Sequence, residues 1–155
     1  MGLFDWFRQM ASEKPDAASA PPAPELGAVK DESVVQGLDF VAAIEAHRKW
    51  KARLTAYIDG TSTEELDPAV ICQDDKCALG KWIHGEGKTF CGHMPKFHKL
   101  KADHAEFHIN AAEVVTLHKN GKSDEARALM LDGAFAQYSK AVQTDLSKLY
   151  MEMKA

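Results

Sequence analysis

From about Gly37 to the end of the chain, apolar residues recur three and four positions apart, and no stretch alternates apolar with polar residues as a half-buried strand would. That periodicity restricts the chain to helices. A first stripe, Leu38, Val41, Ile44, Trp50, Leu54 and Ile58, stops at Asp59-Gly60, a natural C-terminal cap. Residues 61–73 are broken by Pro68 and carry little periodicity. Asp74-Asp75 then offers an N-cap for a short helix from Cys77 to about His84, ended by Gly85 and Gly87. Pro95 marks the first turn of another long helix, whose stripe runs Phe97, Leu100, His104, Phe107, Ala111, Val114, Val115 and His118 up to Asn120-Gly121. A last helix starts at a Ser123 cap and runs through Leu129, Met130, Ala134, Tyr138, Val142, Leu146, Leu149 and Met153, interrupted only by Gly133. The expected class is all-α: over residues 36–153, an antiparallel helical bundle of three long helices and a short cysteine-bearing one.

Proline sets the other boundary. Four of the six prolines (Pro15, Pro21, Pro22, Pro24) fall in one Ala- and Ser-rich stretch, so residues 11–35 read as a disordered Pro/Ala-rich linker. Ahead of it, residues 1–10 form a short amphipathic segment with Leu3, Trp6, Phe7 and Met10 at helical spacing. Two readings stand for it: a frayed tail, or a docking peptide that folds on contact with a protein groove or, peripherally, a membrane surface. The groove is favoured, because Asp5 and Glu13 cancel Arg8 and Lys14 and leave no positive charge for anionic lipid. Trp6 occupies the position where N-myristoylation needs Ser or Thr.

The 155 residues leave room for one ordinary domain, and a net charge of −4 argues against nucleic acid as a partner. With no transmembrane run and no export signal, a cytoplasmic location is expected, where three cysteines are thiols or metal ligands rather than a disulfide framework.

Seven histidines against three tyrosines is the imbalance that points to chemistry. His104 and His108, four residues apart on one helix, leave the same face one turn apart and can reach a single ion, although this spacing alone more often marks solvated or packed side chains. His47 sits on the apolar stripe of a different helix, where it otherwise reads as a core histidine bonded to a carbonyl. Cys77 stands at the start of the short helix, where the dipole and unpaired N–H groups favour a thiolate. Three neutral imidazoles and one thiolate form a closed tetrahedral set suited to Zn2+.

Three ordered motifs carry a resemblance: His47-Arg48-Lys49-Trp50, then Cys77-Ala78-Leu79-Gly80-Lys81-Trp82, then His104-Ala105-Glu106-Phe107-His108, with 26 and 21 residues between them. In these, and in Asp59-Gly60, Glu65-Leu66-Asp67-Pro68, Asp74-Asp75 and Gly85-Glu86-Gly87-Lys88, residues 37 to about 150 resemble the chemoreceptor zinc-binding (CZB) domain of bacterial signalling proteins. The resemblance implies that His47, Cys77, His104 and His108 are the zinc ligands and that the bundle pairs as a homodimer. It also implies a regulatory role in chemotaxis or cyclic-di-GMP control, in which zinc occupancy or oxidation of Cys77 alters a chemoreceptor, a cyclase or another signalling protein. No attached output domain is recognised in these residues, so the form expected is a stand-alone one.

The remaining residues take plainer readings. Cys72 is expected to be small and buried, with a lesser reading as a resolving thiol; Cys91 with His93 could supply a surface metal site, but the glycine between them points to a loop; His84, His98 and His118 are expected to be exposed or half-buried. No catalytic residue is expected. Glu106 follows His104 by two positions, about 200° round a helix, so it is not the general base of an H-E-x-x-H hydrolase. Phe107 stands where the inverted motif needs Glu, and four protein ligands leave no position for a water. The alternative to a sensor is a zinc-stabilised scaffold or dimerisation module.

Overall fold

A computed structural model of the chain describes residues 32–155, so the amphipathic segment 1–10 and the linker up to residue 31 lie outside the described residues. The described chain is an all-α bundle with one small exception. Val34–Val35 (β1) pairs antiparallel with Leu38–Asp39 (β2), through a turn in which Gln36 (φ 50) and Gly37 (φ 82) both take positive φ. That is the backbone a two-residue hairpin needs, and glycine at its second position makes it cheap. The expectation of no strand, and of linker continuing to residue 35, is corrected here: a hairpin this short is invisible to an alternation test because it has no length over which to alternate.

Helix α1 spans Phe40–Asp59, capped at its start by Asp39, whose Oδ1 accepts from Ala42 N at 3.0 Å, and at its end by left-handed Gly60. Its buried face, Phe40, Ala43, His47, Trp50, Leu54 and Ile58, keeps the three-and-four spacing. Pro68–Ile71 forms a one-turn helix, α2, capped by Asp67, in a stretch with no readable periodicity. A 3-10 turn over Asp74–Lys76 leads into α3, Ala78–His84. Gly85 ends α3 as expected, but the chain starts a further short helix at once, α4, Glu86–Cys91. Then come α5, Pro95–Lys119; α6, Ser123–Leu131; and α7, Ala134–Lys154. The single last helix expected from the sequence is therefore two, broken at Gly133, where a Cβ would stand 2.8 Å from the Leu129 Cα.

The core lies where α5 packs along α7 and both meet α1, with α6 closing one end. Phe107 and Phe135 pack in its centre with ring centroids 5.3 Å apart and planes tilted by 40°, among the fully buried Leu54, Leu100, Val114, Val115, Val142, Leu146 and Leu149. Each such side chain contributes about 1.5–3 kcal/mol by leaving water. The side chains of this core are apolar, and the three buried histidines lie on the same helices. No helix of the described residues is long and apolar enough to cross a membrane.

Candidate metal centre

His47 on α1, His104 and His108 on α5, and Cys77 at the start of α3 are all buried and converge at one point. The four donor atoms lie within 4.8 Å of one another. Cys77 Sγ is 3.3 Å from His104 Nε2 and 3.6 Å from His108 Nε2; His104 Nε2 is 3.1 Å from both His47 Nε2 and His108 Nε2. Zinc bonds of about 2.0–2.1 Å to nitrogen and 2.3 Å to sulfur would set tetrahedral donors about 3.3–3.6 Å apart. The spacing fits one ion. Among the described residues these four form the one group of three or more His, Cys, Asp or Glu side chains so placed.

Backbone carbonyls decide which way the rings point. His47 Nδ1 donates to Ala43 O at 2.7 Å, and His108 Nδ1 donates to Ile71 O at 2.9 Å. A carbonyl only accepts, so the proton of each ring stays on Nδ1 and the Nε2 lone pair faces the cluster. His104 Nδ1 has no hydrogen-bond partner among the described residues; Asp74 Oδ2 stands 3.7 Å from it and also takes a 3.0 Å bond from His84 Nε2. The centre is thus lined with the Nε2 lone pairs of His47 and His108, and only the Cys77 S–H and, in one tautomer, the His104 Nε2–H are protons that could satisfy them. Buried acceptors left without a donor are costly, and a cation at their focus satisfies all four together.

The protonation states follow from burial. Without an ion, desolvation lowers His47 and His104 to about 4 and His108 to about 3; the charges of neighbouring histidines push the same way, and the carbonyls and Asp74 resist. All three imidazoles are therefore neutral at physiological pH and ready to coordinate. Asp74 is held well below the usual carboxylate range, by His104 first and also by His84.

Cys77 corrects a sequence expectation. It is the N-cap of α3 rather than a first-turn residue behind an Asp75 cap, and its Sγ accepts from Gly80 N at 3.3 Å. Even so, burial pushes its thiol up to about 12, outweighing the backbone amides, with Asp74 adding to the rise. The helix start alone does not make a thiolate here. A cation at the cluster is what would lower it.

Gly80 in the cysteine motif is fixed by a close approach, since a Cβ there would lie 1.7 Å from the Asp74 carbonyl oxygen. Removing that Cβ lets α3 sit against the preceding 3-10 turn and aim Cys77 inward. Leu79, Trp82 and Ile83 are buried and anchor the helix, with Trp82 Nε1 donating to Gln36 O of the hairpin at 2.8 Å. Trp50 and Leu54 are buried in register with His47, as the stripe required.

Other residues fall outside the cluster. His84 and His98 are exposed, and His118 is half-buried against Ser123 and Tyr57. Cys72, expected to be buried, is exposed and faces Ala69 O, because its one-turn helix turns only Ile71 inward. Cys91 is the buried one, at the end of α4 instead of in a loop, with its Sγ 3.6 Å from Met153 Sδ. Glu106 is exposed on α5, away from the cluster. Sequence reasoning missed the carbonyls of Ala43 and Ile71, which no side-chain pattern reports. It took Asp74 for a helix cap, and its adjacency to Cys77 was the available signal.

Residues 47–115 match the family model of the chemoreceptor zinc-binding domain, a span that starts at His47 and contains all four donors. No curated protein and no solved structure matches the chain.

Proposed function

Residues 47–115 belong to the chemoreceptor zinc-binding domain family, a family of zinc-binding signalling domains, and from that premise we propose that His47, Cys77, His104 and His108 are the zinc ligands and that the site is a regulatory sensor. The observation carrying this reading is the convergence of three buried imidazole Nε2 atoms and one buried sulfur at ion-sized spacing. Zinc, when bound, supplies the positive charge that neutralises the thiolate and engages the lone pairs. The chain's own residues do the rest. The Ala43 and Ile71 carbonyls hold two rings in the coordinating tautomer, Asp74 backs the third, and Gly80 brings the sulfur to the focus.

Regulation is proposed to act through Cys77. Attack of its thiolate on hydrogen peroxide forms an S–O bond, breaks the O–O bond and expels hydroxide, which leaves a neutral sulfenic acid in place of the one anionic donor. Hypochlorous acid reaches the same product with chloride as the ion released. Loss of that donor releases α3 from the cluster, and the changed surface is read by a signalling partner such as a chemoreceptor or a cyclase in the cytoplasm, the domain acting as a homodimer. The reading assigns no catalysis, since four protein donors leave no position for water.

The test is metal analysis with a titration. The purified protein should carry about one zinc per chain, and alanine at any of the four positions should lower affinity at least tenfold. Full content and unchanged affinity in Cys77→Ala would overturn the ligand set. Stoichiometric peroxide should release zinc and a thiol reductant restore it. Retention of zinc while Cys72 or Cys91 is the residue modified would leave a structural zinc scaffold as the better account.

A further inference from the structure

A narrow apolar slot opens between α1 and α3 beside the donor cluster. Its volume is about 220 Å³, and it is lined by Ala42, Ala43, Ala46 and Trp50 of α1, by Ala78, Leu79 and Trp82 of α3, and by Gly37 and Leu38 of the hairpin. Trp50 and Leu79 are buried and form the floor; Ala42 and Ala78 are exposed and Ala46 is half-buried at the rim. Ala42 and Ala46, one turn apart, present methyl groups where longer side chains would close the opening. Its inner end reaches His47 and Cys77 of the donor cluster, and the polar groups that hold its walls are committed. The Asp39 carboxylate caps α1 and accepts from Ser33 Oγ, and His47 Nδ1 is held by Ala43 O. An apolar cavity of about 150 Å³ is enough for benzene, so a slot of this size and lining takes an indole.

What covers it is indicated by where the described chain begins. Glu32 O is tied to Tyr150 Oη at 2.8 Å and Ser33 O accepts from Phe40 N at 2.9 Å, so the chain joins the domain at the hairpin, whose second strand is one wall of the slot. Upstream, Met10 is followed by 21 residues, 11 to 31, before Glu32. A tether of that length reaches up to roughly 65 Å even as an extended Pro-rich chain at about 3.1 Å per residue, ample for a return to the rim. It also keeps the segment at an effective concentration in the millimolar range, against which a second copy at micromolar concentration would need roughly a thousandfold tighter intrinsic fit. The segment supplies the matching chemistry, with Leu3, Trp6, Phe7 and Met10 at helical spacing. We propose that the slot between α1 and α3 is the docking site of the chain's own residues 3–10, with Trp6 as the side chain seated in it. The inference goes beyond the metal reading, and its test scores the two separately.

The test uses the full chain labelled with 5-fluorotryptophan, whose three tryptophan signals are assigned by comparison with Trp6→Phe. Docking predicts a Trp6 fluorine resonance displaced from its unfolded-chain position and unchanged on dilution. Ala42→Gln and Ala78→Gln, each at an exposed rim position, should each return it to the unfolded position while unchanged helicity by circular dichroism reports an intact fold. A Trp6 resonance at the unfolded position in the parent protein would overturn the proposal. So would a displacement lost on dilution, which would mark a second copy as the occupant, or one that ignores both rim variants. Zinc content measured on the same samples scores the metal reading separately.

Discussion

At the scale of single residues, the cluster works by denying its groups any other state. Each histidine is neutral in the folded chain, lowered to between about 3 and about 4, but takes up a proton near 6.5 once unfolded. The unfolded chain therefore binds more protons between those values, and stability falls as the pH drops from 6.5 towards 4. Urea unfolding of metal-free protein at pH 7.5, 6 and 5 should show a progressive loss, with His47→Ala, His104→Ala or His108→Ala each flattening the profile; a pH-independent midpoint would contradict the neutral, buried imidazoles. Gly80 is the other residue with no substitute. A methyl group 1.7 Å from the Asp74 oxygen forces α3 away from the turn that precedes it. Gly80→Ala should cost about 1–3 kcal/mol in thermal unfolding and weaken zinc binding, because the shift moves Cys77. Retained affinity would mean that α3 is positioned by Leu79 and Trp82 alone.

At the scale of elements, α5 and α7 meet over a polar defect. Asp145 on α7 is buried; its Oδ1 is 3.4 Å from Lys99 Nζ, while its Oδ2 has no hydrogen-bond partner among the described residues. Lys99 sits closer to Asp103, at 2.5 Å, so Asp145 is left beside a like charge. Burial first and Asp103 second push it up to about 6. The unfolded carboxyl ionises near 3.8, so folding is progressively disfavoured as pH rises from there to 6 and the penalty is constant above. Asp145→Asn, which can donate to Asp103, should stabilise the protein by about 1 kcal/mol above pH 6 and by nothing at pH 3.5. Denaturant midpoints at the two pH values decide it, and a destabilised variant at high pH would show that Lys99 outweighs the burial. Elements also show what the sequence made legible. The α1 and α5 stripes and their Gly60 and Asn120-Gly121 ends were readable because many residues repeat one spacing, although Val41, placed on the α1 stripe, is exposed and Phe40 and Ala43 are buried instead. The hairpin, α2 and α4 were not, since two to six residues hold no period. The break at Gly133 was visible as a glycine, yet only the approach of the Leu129 backbone shows why it divides two helices. At the site, the four side chains that converge were readable from motif order, while the carbonyls that set the tautomers of His47 and His108 and the burial that opposes the thiolate depend on packing.

At the scale of the whole molecule, the donors are distributed unevenly over the elements that carry stability. His47, His104 and His108 ride on α1 and α5, whose apolar faces are sealed into the core by Trp50, Leu54, Leu100, Phe107, Val114 and Val115. Cys77 rides on α3, seven residues long, attached through the 3-10 turn and a few buried side chains. Removing the ion thus leaves three donors anchored and one loosely held. A chelator should lower Tm without abolishing helicity: ligand at about a hundredfold over its Kd adds ~2.7 kcal/mol, which for a domain of this size is on the order of 10 °C. Because the bundle has its own core, this is well below the ~10–16 kcal/mol by which zinc organises a zinc-finger peptide. The loss should also be local. Amide exchange should rise in residues 68–84, where α2 supplies the Ile71 carbonyl to His108 and α3 supplies the sulfur, while α5 and α7 stay protected. Such a pattern is what a sensor requires, one weakly held element whose order depends on the ion beside a frame that does not. Uniform exchange across α1, α5 and α7 on chelation would instead make zinc a structural staple of the entire bundle, and regulation through α3 would lose its physical basis.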